Sequence, residues 1–175
     1  MTRTVRRAGA ADARSIASVH IASSNDAYAP LAACWPAEDI DARAAKWAKR
    51  LTEEASLLVI VAEDEGAVVG FAAGGPARRQ EPHTEVEIYA IHVTPTLRGQ
   101  GVGHAIWNAA CSALRGPALA AIYVDTLAEL RACSFYERHG GQVTERASTS
   151  FLGALRTHVT YRWKQGARSD LQSRA

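Results

Sequence analysis

A glycine-rich turn is the segment of this sequence whose residue types and spacing point most directly to chemistry. It runs from Arg98 to Gly103 with the letters RGQGVG, between an apolar strand-like run and an amphipathic helix-like run. Glycines let successive backbone N–H groups turn toward one point, because no Cβ stands in the way. The start of a helix adds unpaired N–H donors and the positive end of its dipole. The turn is therefore suited to an anion such as a pyrophosphate.

Two common nucleotide-binding motifs do not fit this turn. A P-loop requires GxxxxGK[ST], and no lysine follows Gly103. A Rossmann fingerprint requires GxGxxG near a first strand, with an acidic residue about 20 residues further on. Here the spacing is RxxGxG, the turn comes late in the chain, and Asp125 lies at the wrong end of the next predicted strand.

The elements that must position the turn follow from hydrophobic periodicity and turn residues. The predicted strands cover residues 4–6, 57–62, 67–73, 85–93, 118–124, 143–151 and 155–163. The predicted helices run from residue 13 to a break at residues 28–30, from about residue 36 or 39 to residue 51, over the segment after Gly103, and over about 128–139. A strand–helix–strand unit in the middle should be parallel, and the flanking hairpins antiparallel. This order predicts a mixed α/β (α+β) fold with helices on both faces of one sheet.

Length and composition limit the class of protein. The 175 residues suit one domain, with residues 165–175 expected to be a mobile polar tail. A net charge of +2 is too small for a nucleic-acid-binding surface. The three cysteines have no CxxC spacing, which favours reduced thiols over disulfides or a zinc site. With no apolar run long enough for a membrane span, we expect a cytoplasmic protein with no membrane or nucleic-acid partner.

Two segments of the chain resemble the GCN5-related N-acetyltransferase (GNAT) family. Residues 87–103, EIYAIHVTPTLRGQGVG, are similar to the fourth strand of that family and its [RQ]xxGx[GA] pyrophosphate loop. Residues 131–140, RACSFYERHG, resemble the helix that carries the FYE–x–x–G signature. The likeness extends from Val5 to about Trp163. It implies a single GNAT domain over residues 1–164, with a mostly antiparallel sheet and one parallel strand pair.

The resemblance also implies acetyl-CoA as the acyl-donor cosubstrate, with no metal. The backbone of Ile91, His92 and Val93 would pair with the pantetheine arm like an added strand. The pyrophosphate would be held by Arg98 and by the N–H groups of the turn, namely those of Gly99, Gln100, Gly101, Val102, Gly103 and His104. Tyr136 would lie near the CoA sulfur. Glu129 departs from the family pattern, because it stands where the family often has an asparagine that contacts the cofactor.

Acetyl transfer to an amine requires that the ammonium lose its proton, since its lone pair is the nucleophile. Glu87, on the strand that leads into the turn, is our choice of general base, directly or through a water. The alternative is a solvent-facing strand residue. By strand alternation Glu87, Tyr89 and Ile91 share a face, and His92 points away from it, which favours a core role for His92 over a base. Tyr136 would protonate the thiolate or, alternatively, only pack the helix onto the sheet.

The acceptor site is expected between Ser24 and Pro36 and near the last strands. Tyr28, Trp35 and Tyr89 are the residues predicted to line it, the alternative being core or rim positions. No strong negative charge is concentrated there, which favours a small or amino-acid-like amine over a polycationic acceptor. The expected activity is therefore N-acetyltransfer by direct attack. Three other expectations stay open: a non-catalytic acyl-CoA sensor, a toxin acting on charged tRNA, and a homodimer formed through exposed edge strands.

Overall fold

The computed structural model describes residues 3–31, 36–78, 85–115 and 121–164. Within these ranges the strands are β1 (Arg3–Arg7), β2 (Leu58–Asp64), β3 (Ala67–Pro76), β4 (Glu85–Val93), β5 (Ala121–Leu127), β6 (Gln142–Phe151) and β7 (Ala154–Lys164). The helices are α1 (Ala13–Tyr28), α2 (Ile40–Glu53), α3 (Val102–Leu114) and α4 (Ala132–Arg138), with 3-10 turns at Ala10–Asp12 and Pro95–Leu97. In these ranges each helix is too short or too polar to cross a bilayer.

The strands follow the order β1-β2-β3-β4-β5-β7-β6. The pairs β1–β2, β2–β3, β5–β7 and β6–β7 are antiparallel, and β4–β5 is parallel, with Glu85–Glu87 opposite Ala121–Tyr123. This mixed, mostly antiparallel sheet with one parallel pair confirms the predicted fold class. The chain divides into two compact units, Met1–Pro76 with Ile88–Arg115, and Ala77–Glu87 with Gly116–Ala175. The change of unit within β4 falls between Glu87 and Ile88.

The core of the first unit forms where the apolar faces of α1 and α2 meet β2 and β3. Ile16, Val61 and Phe71 are each fully buried, and Trp47 of α2 is 3% exposed. Burying side chains of this size contributes roughly 1.5–3 kcal/mol each. The start of α2 is fixed by Asp39, whose carboxylate accepts a 2.7 Å hydrogen bond from the Ala42 N–H.

Gly70 in β3 sets how closely α3 approaches the sheet of the first unit. A Cβ built on Gly70 would lie 2.7 Å from Ile106 Cδ1 and 3.0 Å from the His92 carbonyl oxygen. A side chain here would push α3 away, since buried atoms are already close-packed. The glycine therefore holds the start of α3, and with it the glycine-rich turn, against β3.

The second unit corrects one predicted helix boundary. The helix expected from residue 128 begins only at Ala132. The reason is that β5 extends to Leu127, opposite His158 of β7, and the next N–H, that of Ala128, donates to the Thr157 carbonyl at 2.9 Å. Ala128 is thus used by β7, and residues 129–131 form a turn, in which the Leu130 N–H donates to the Leu127 carbonyl, before the helix begins. At the other end of α4, Gly140 takes the left-handed conformation, with a φ of 79°.

Candidate functional site

The glycine-rich turn adopts the geometry that an anion nest requires. Gly99 and Gly101 have φ angles of 75° and 82°, in the left-handed region that favours glycine. Gly101 is the residue that precedes α3 as its N-cap. A Cβ built on either glycine would meet no atom within 4 Å, so the backbone conformation, and not a steric clash, is what favours glycine here. These two positions confirm that the turn needs its glycines for conformation.

Free donors are concentrated at the start of α3. The first intrahelical bond runs from the Ala105 N–H to the Gly101 carbonyl at 3.0 Å. The N–H groups of Val102 and Gly103 come before it and so have no intrahelical acceptor. They lie at the positive end of a 13-residue helix. The turn therefore combines unpaired donors with the positive end of a helix dipole, two features that suit an anion.

Two arginines hold the turn in place. Arg3 of β1 donates from Nη1 to the Gln100 carbonyl at 2.7 Å. Arg98 forms an ion pair with Asp26 of α1 and a 3.3 Å hydrogen bond with the Ser23 hydroxyl. The Arg98 guanidinium is thus directed at α1, and its contact with a phosphate stays a prediction. Sequence reasoning missed the contacts of Arg3 and Asp26 with the turn. These residues lie 97 and 72 positions along the chain from Gln100 and Arg98, and no local pattern indicates such contacts.

Glu87 is enclosed by hydrogen-bond donors in the second unit. Its Oε2 accepts from the Arg78 backbone N–H at 3.2 Å, from Arg78 Nε at 2.9 Å and from the Tyr123 hydroxyl at 2.8 Å. Its Oε1 accepts from Arg78 Nη2. The side chain is 2% exposed, which excludes the solvent-facing alternative. Whether Glu87 acts as the base stays a prediction.

Opposing influences act on the acidity of Glu87. Burial raises the pKa of this carboxyl. The hydrogen bonds from Arg78 and Tyr123 together lower the pKa by more than burial raises it, so the net pKa lies below the ordinary value. The group is therefore a carboxylate at neutral pH. A carboxylate is the form that can accept a proton from an ammonium.

His92 lies in an aromatic cluster of the first unit. Its ring centroid is 4.5 Å from that of His20 and 5.2 Å from that of Phe71. Burial, followed by the nearby positive charges, lowers the pKa of His92 to about 3 and that of His20 to about 4. Both rings are neutral at pH 7, and Trp47 Nε1 donates to His20 Nδ1 at 3.3 Å. This ring packing is that of a core residue.

The residues predicted to line the acceptor site have different surroundings. Tyr89 donates from its hydroxyl to the Pro76 carbonyl at 2.6 Å and packs against the core of the first unit beside Ala90. Tyr89 and Ala90 are adjacent in β4, and strict alternation of side chains along a strand does not predict that both contact this core. Tyr28 ends α1, and burial raises the pKa of its hydroxyl. Trp35 lies outside the described residues.

Tyr136 is 4% exposed and lies among aromatic side chains of the second unit. Its ring centroid is 5.6 Å from that of Tyr161 and 6.0 Å from that of Trp163. The next residue, Glu137, accepts a 2.9 Å hydrogen bond from the Tyr161 hydroxyl, so it ties α4 to β7. Glu129, the departure from the family pattern, lies 3.7 Å from Arg156 Nη1. That arginine partly offsets the negative charge of Glu129.

Comparisons with known proteins agree on one family. A sequence model of the Acetyltransferase (GNAT) family matches residues 20–141. YuaI of Bacillus subtilis (strain 168), described as an uncharacterized N-acetyltransferase, is 26% identical over 163 residues, which cover 91% of this chain and 92% of YuaI.

Solved structures share the fold. The structure of yncA from Salmonella typhimurium with its cofactor acetyl-CoA aligns with a TM-score of 0.71 and 22% identity, covering 97% of this chain and 99% of that one. The paia N-acetyltransferase of Thermoplasma acidophilum in complex with coenzyme A aligns with a TM-score of 0.70 and 16% identity, covering 94% and 99%. At these identities the likeness extends to the fold alone.

Proposed function

The chain belongs to the acetyltransferase (GNAT) family, and from that premise we propose that it is an acetyl-CoA-dependent N-acetyltransferase. Its acceptor would be the primary amine of a small or amino-acid-like molecule. The observation that carries the proposal is the turn before α3, where Gly99 and Gly101 are left-handed and the next two N–H groups have no intrahelical acceptor. This geometry presents backbone donors to a diphosphate, the most highly charged part of coenzyme A.

The proposed cofactor contacts follow the chain from β4 into α3. The N–H groups from Gly99 to His104 would bind the pyrophosphate, and the backbone of Ile91 to Val93 would pair with the pantetheine arm. Edge pairing of this kind uses main-chain groups and so depends little on side-chain identity. Support comes from the unpaired N–H groups at the start of α3 and from two fold relatives whose structures contain acetyl-CoA or coenzyme A.

The proposed reaction is a direct attack, without a covalent enzyme intermediate. The amine nitrogen forms a bond to the thioester carbonyl carbon, and the carbon–sulfur bond breaks. Glu87 takes the amine proton directly or through a water, and Tyr136 gives a proton to the departing thiolate. The Val93 N–H would stabilise the negative charge that develops on the carbonyl oxygen. The burial and ionised state of Glu87 support its part in this scheme.

The acceptor class rests on charge and on the residues near the end of α1. Tyr28, Tyr89 and Trp35 are proposed to line the acceptor site. A net charge of +2 gives no electrostatic attraction for a polycation. A small amine, or one that carries its own carboxylate, is the acceptor most compatible with this balance.

Calorimetric titration with acetyl-CoA tests the cofactor site. Gly101→Asp would place a carboxylate where the pyrophosphate should bind, and we expect it to abolish binding. Gly66→Asp is a matched control, because Gly66 has a φ of 81° and open space around it but lies in the β2–β3 turn. The two variants share the same backbone strain. Equal loss of binding in both, or none in Gly101→Asp, would contradict the assignment of the turn.

A further inference from the structure

We propose that Arg78 is a positioning residue for Glu87: it fixes the carboxylate, leaves Oε1 able to accept a proton, and supplies the countercharge that lets a buried acid stay ionised. The inference rests on the proposed acetyl transfer in one respect, namely that Glu87 is the base. Nothing in the family likeness singles out Arg78. It lies just beyond the end of β3 and approaches Glu87 from a neighbouring segment.

The hydrogen bonds on Glu87 are divided unequally between its two oxygens. Oε2 accepts three bonds, two from Arg78 and one from the Tyr123 hydroxyl, which exceeds its two lone pairs. Oε1 accepts one, from Arg78 Nη2. Among the described residues, the remaining acceptor position of the carboxylate is therefore on Oε1. The Arg78 guanidinium binds both oxygens at once and so fixes the orientation of the carboxylate, with Oε2 toward Nε and Oε1 toward Nη2.

The side chains of Glu87 and Arg78 differ sharply in solvent exposure. The Glu87 side chain is 2% exposed and that of Arg78 is 65% exposed. A solvated guanidinium keeps its charge at little cost, whereas a buried carboxylate without a cation takes up a proton. Removing Arg78 should therefore leave Glu87 protonated at a higher pH than before. A protonated Glu87 cannot accept the proton of the acceptor.

Few other charged groups act on Glu87 among the described residues of its unit. Tyr123 of β5 faces it, opposite in the parallel register, and donates its hydroxyl. Arg162 of β7 lies beside Tyr123 in the sheet but forms a separate pair with Glu85 at 2.7 Å. The Arg162–Glu85 pair thus joins β7 to β4, the strand that carries Glu87, without contacting Glu87. It offers a matched control for loss of an arginine.

The first test is the pH profile of kcat/KM for acetyl transfer. For Arg78→Gln we expect the acidic limb to move up by about one pH unit or more, so that activity falls by up to about tenfold on the acidic side of the wild-type limb and hardly at all at pH 9. Arg78→Lys keeps the charge and should restore part of the shift. Arg162→Gln should leave the limb in place. An equal loss at every pH in Arg78→Gln, with the limb unmoved, would overturn the proposal.

The second test needs no acceptor and so separates this inference from the proposed function. Protein labelled with carboxyl-¹³C glutamate is titrated by NMR, and Glu87→Gln identifies the Glu87 signal. The signal should titrate below the ordinary glutamate range in the wild type and at clearly higher pH in Arg78→Gln. Unchanged titration in Arg78→Gln would refute the role of Arg78, even if acetyl transfer is established. The expected shift in a protein without transfer activity would refute only the proposed function.

Discussion

Arg3, on the first strand, donates a 2.7 Å hydrogen bond from Nη1 to the main-chain carbonyl of Gln100 in the glycine-rich turn. The same guanidinium pairs with Asp64 at 3.0 Å, so the turn is tied to both β1 and β2. A turn that is already ordered loses less entropy when a ligand binds. The affinity for acetyl-CoA should therefore depend on a residue that does not contact it.

Arg3→Ala should weaken acetyl-CoA binding by roughly three- to tenfold, because one hydrogen bond that orders the turn is lost. Arg7→Ala, an exposed position on the same strand, is the control and should leave the dissociation constant unchanged. Calorimetric titration measures both. If Arg3→Ala binds as tightly as the wild type, the turn does not need this support.

Tyr136→Phe should slow turnover more than it weakens acetyl-CoA binding, since only the proposed proton donor is removed. Tyr161→Phe is the comparison, because its ring lies 5.6 Å away and its hydroxyl bonds to Glu137. That change should lower stability and leave turnover per folded molecule nearly intact. Steady-state kinetics beside direct binding separates the two effects. A parallel loss of turnover and binding in Tyr136→Phe would assign it a packing role.

The histidine pair predicts how stability varies with pH. The pKa values of His20 and His92 are lowered to about 4 and about 3, so both bind protons more readily in the unfolded chain. Stability is therefore full above pH ~6.5 and falls as the pH drops toward 4. At pH 5 this amounts to at most about 2 kcal/mol for each histidine.

Urea unfolding at pH 7 and pH 5 measures that loss. His92→Phe should show a smaller fall than the wild type, while His104→Gln, at an exposed position, should show the same fall. Identical pH dependence in all three proteins would mean that the cluster does not bury its histidines as neutral rings.

Gly70→Ala should destabilise the first unit by roughly 1–3 kcal/mol. The added Cβ would lie 2.7 Å from Ile106 Cδ1, which can move, and 3.0 Å from the His92 carbonyl, which cannot move easily. Gly9→Ala is the control, because nothing lies within 4 Å of its Cβ position. Thermal unfolding compares them. No difference between the two would show that α3 accommodates the methyl group.

Local patterns predicted most of the fold, because each element carries its own periodicity and turn residues. The strand from Glu85 to Val93 was predicted with its exact bounds, and the turn before α3 by its glycines. The start of α4 was wrong by four residues, since β5 pairs with β7 as far as Leu127 and a turn over residues 128–131 then precedes the helix. Long-range pairing of this kind leaves no mark in a local window of sequence.

The candidate site was predictable only in part. Glu87 stood out as a carboxylate in an apolar strand, but its burial and its partners could not be inferred. Arg78 is nine residues away and Tyr123 is 36 residues away. The register that brings Tyr123 opposite Glu87 is set by the parallel pairing of β4 and β5. Sequence spacing alone does not specify that register.

The most direct test of the proposed activity is release of the CoA thiol from acetyl-CoA across a panel of amines and amino acids. We predict thiol release that depends on one class of acceptor and that Glu87→Gln slows by roughly a hundredfold while acetyl-CoA still binds. Tight binding of acetyl-CoA without release for any acceptor would contradict the account and point to an acyl-CoA sensor.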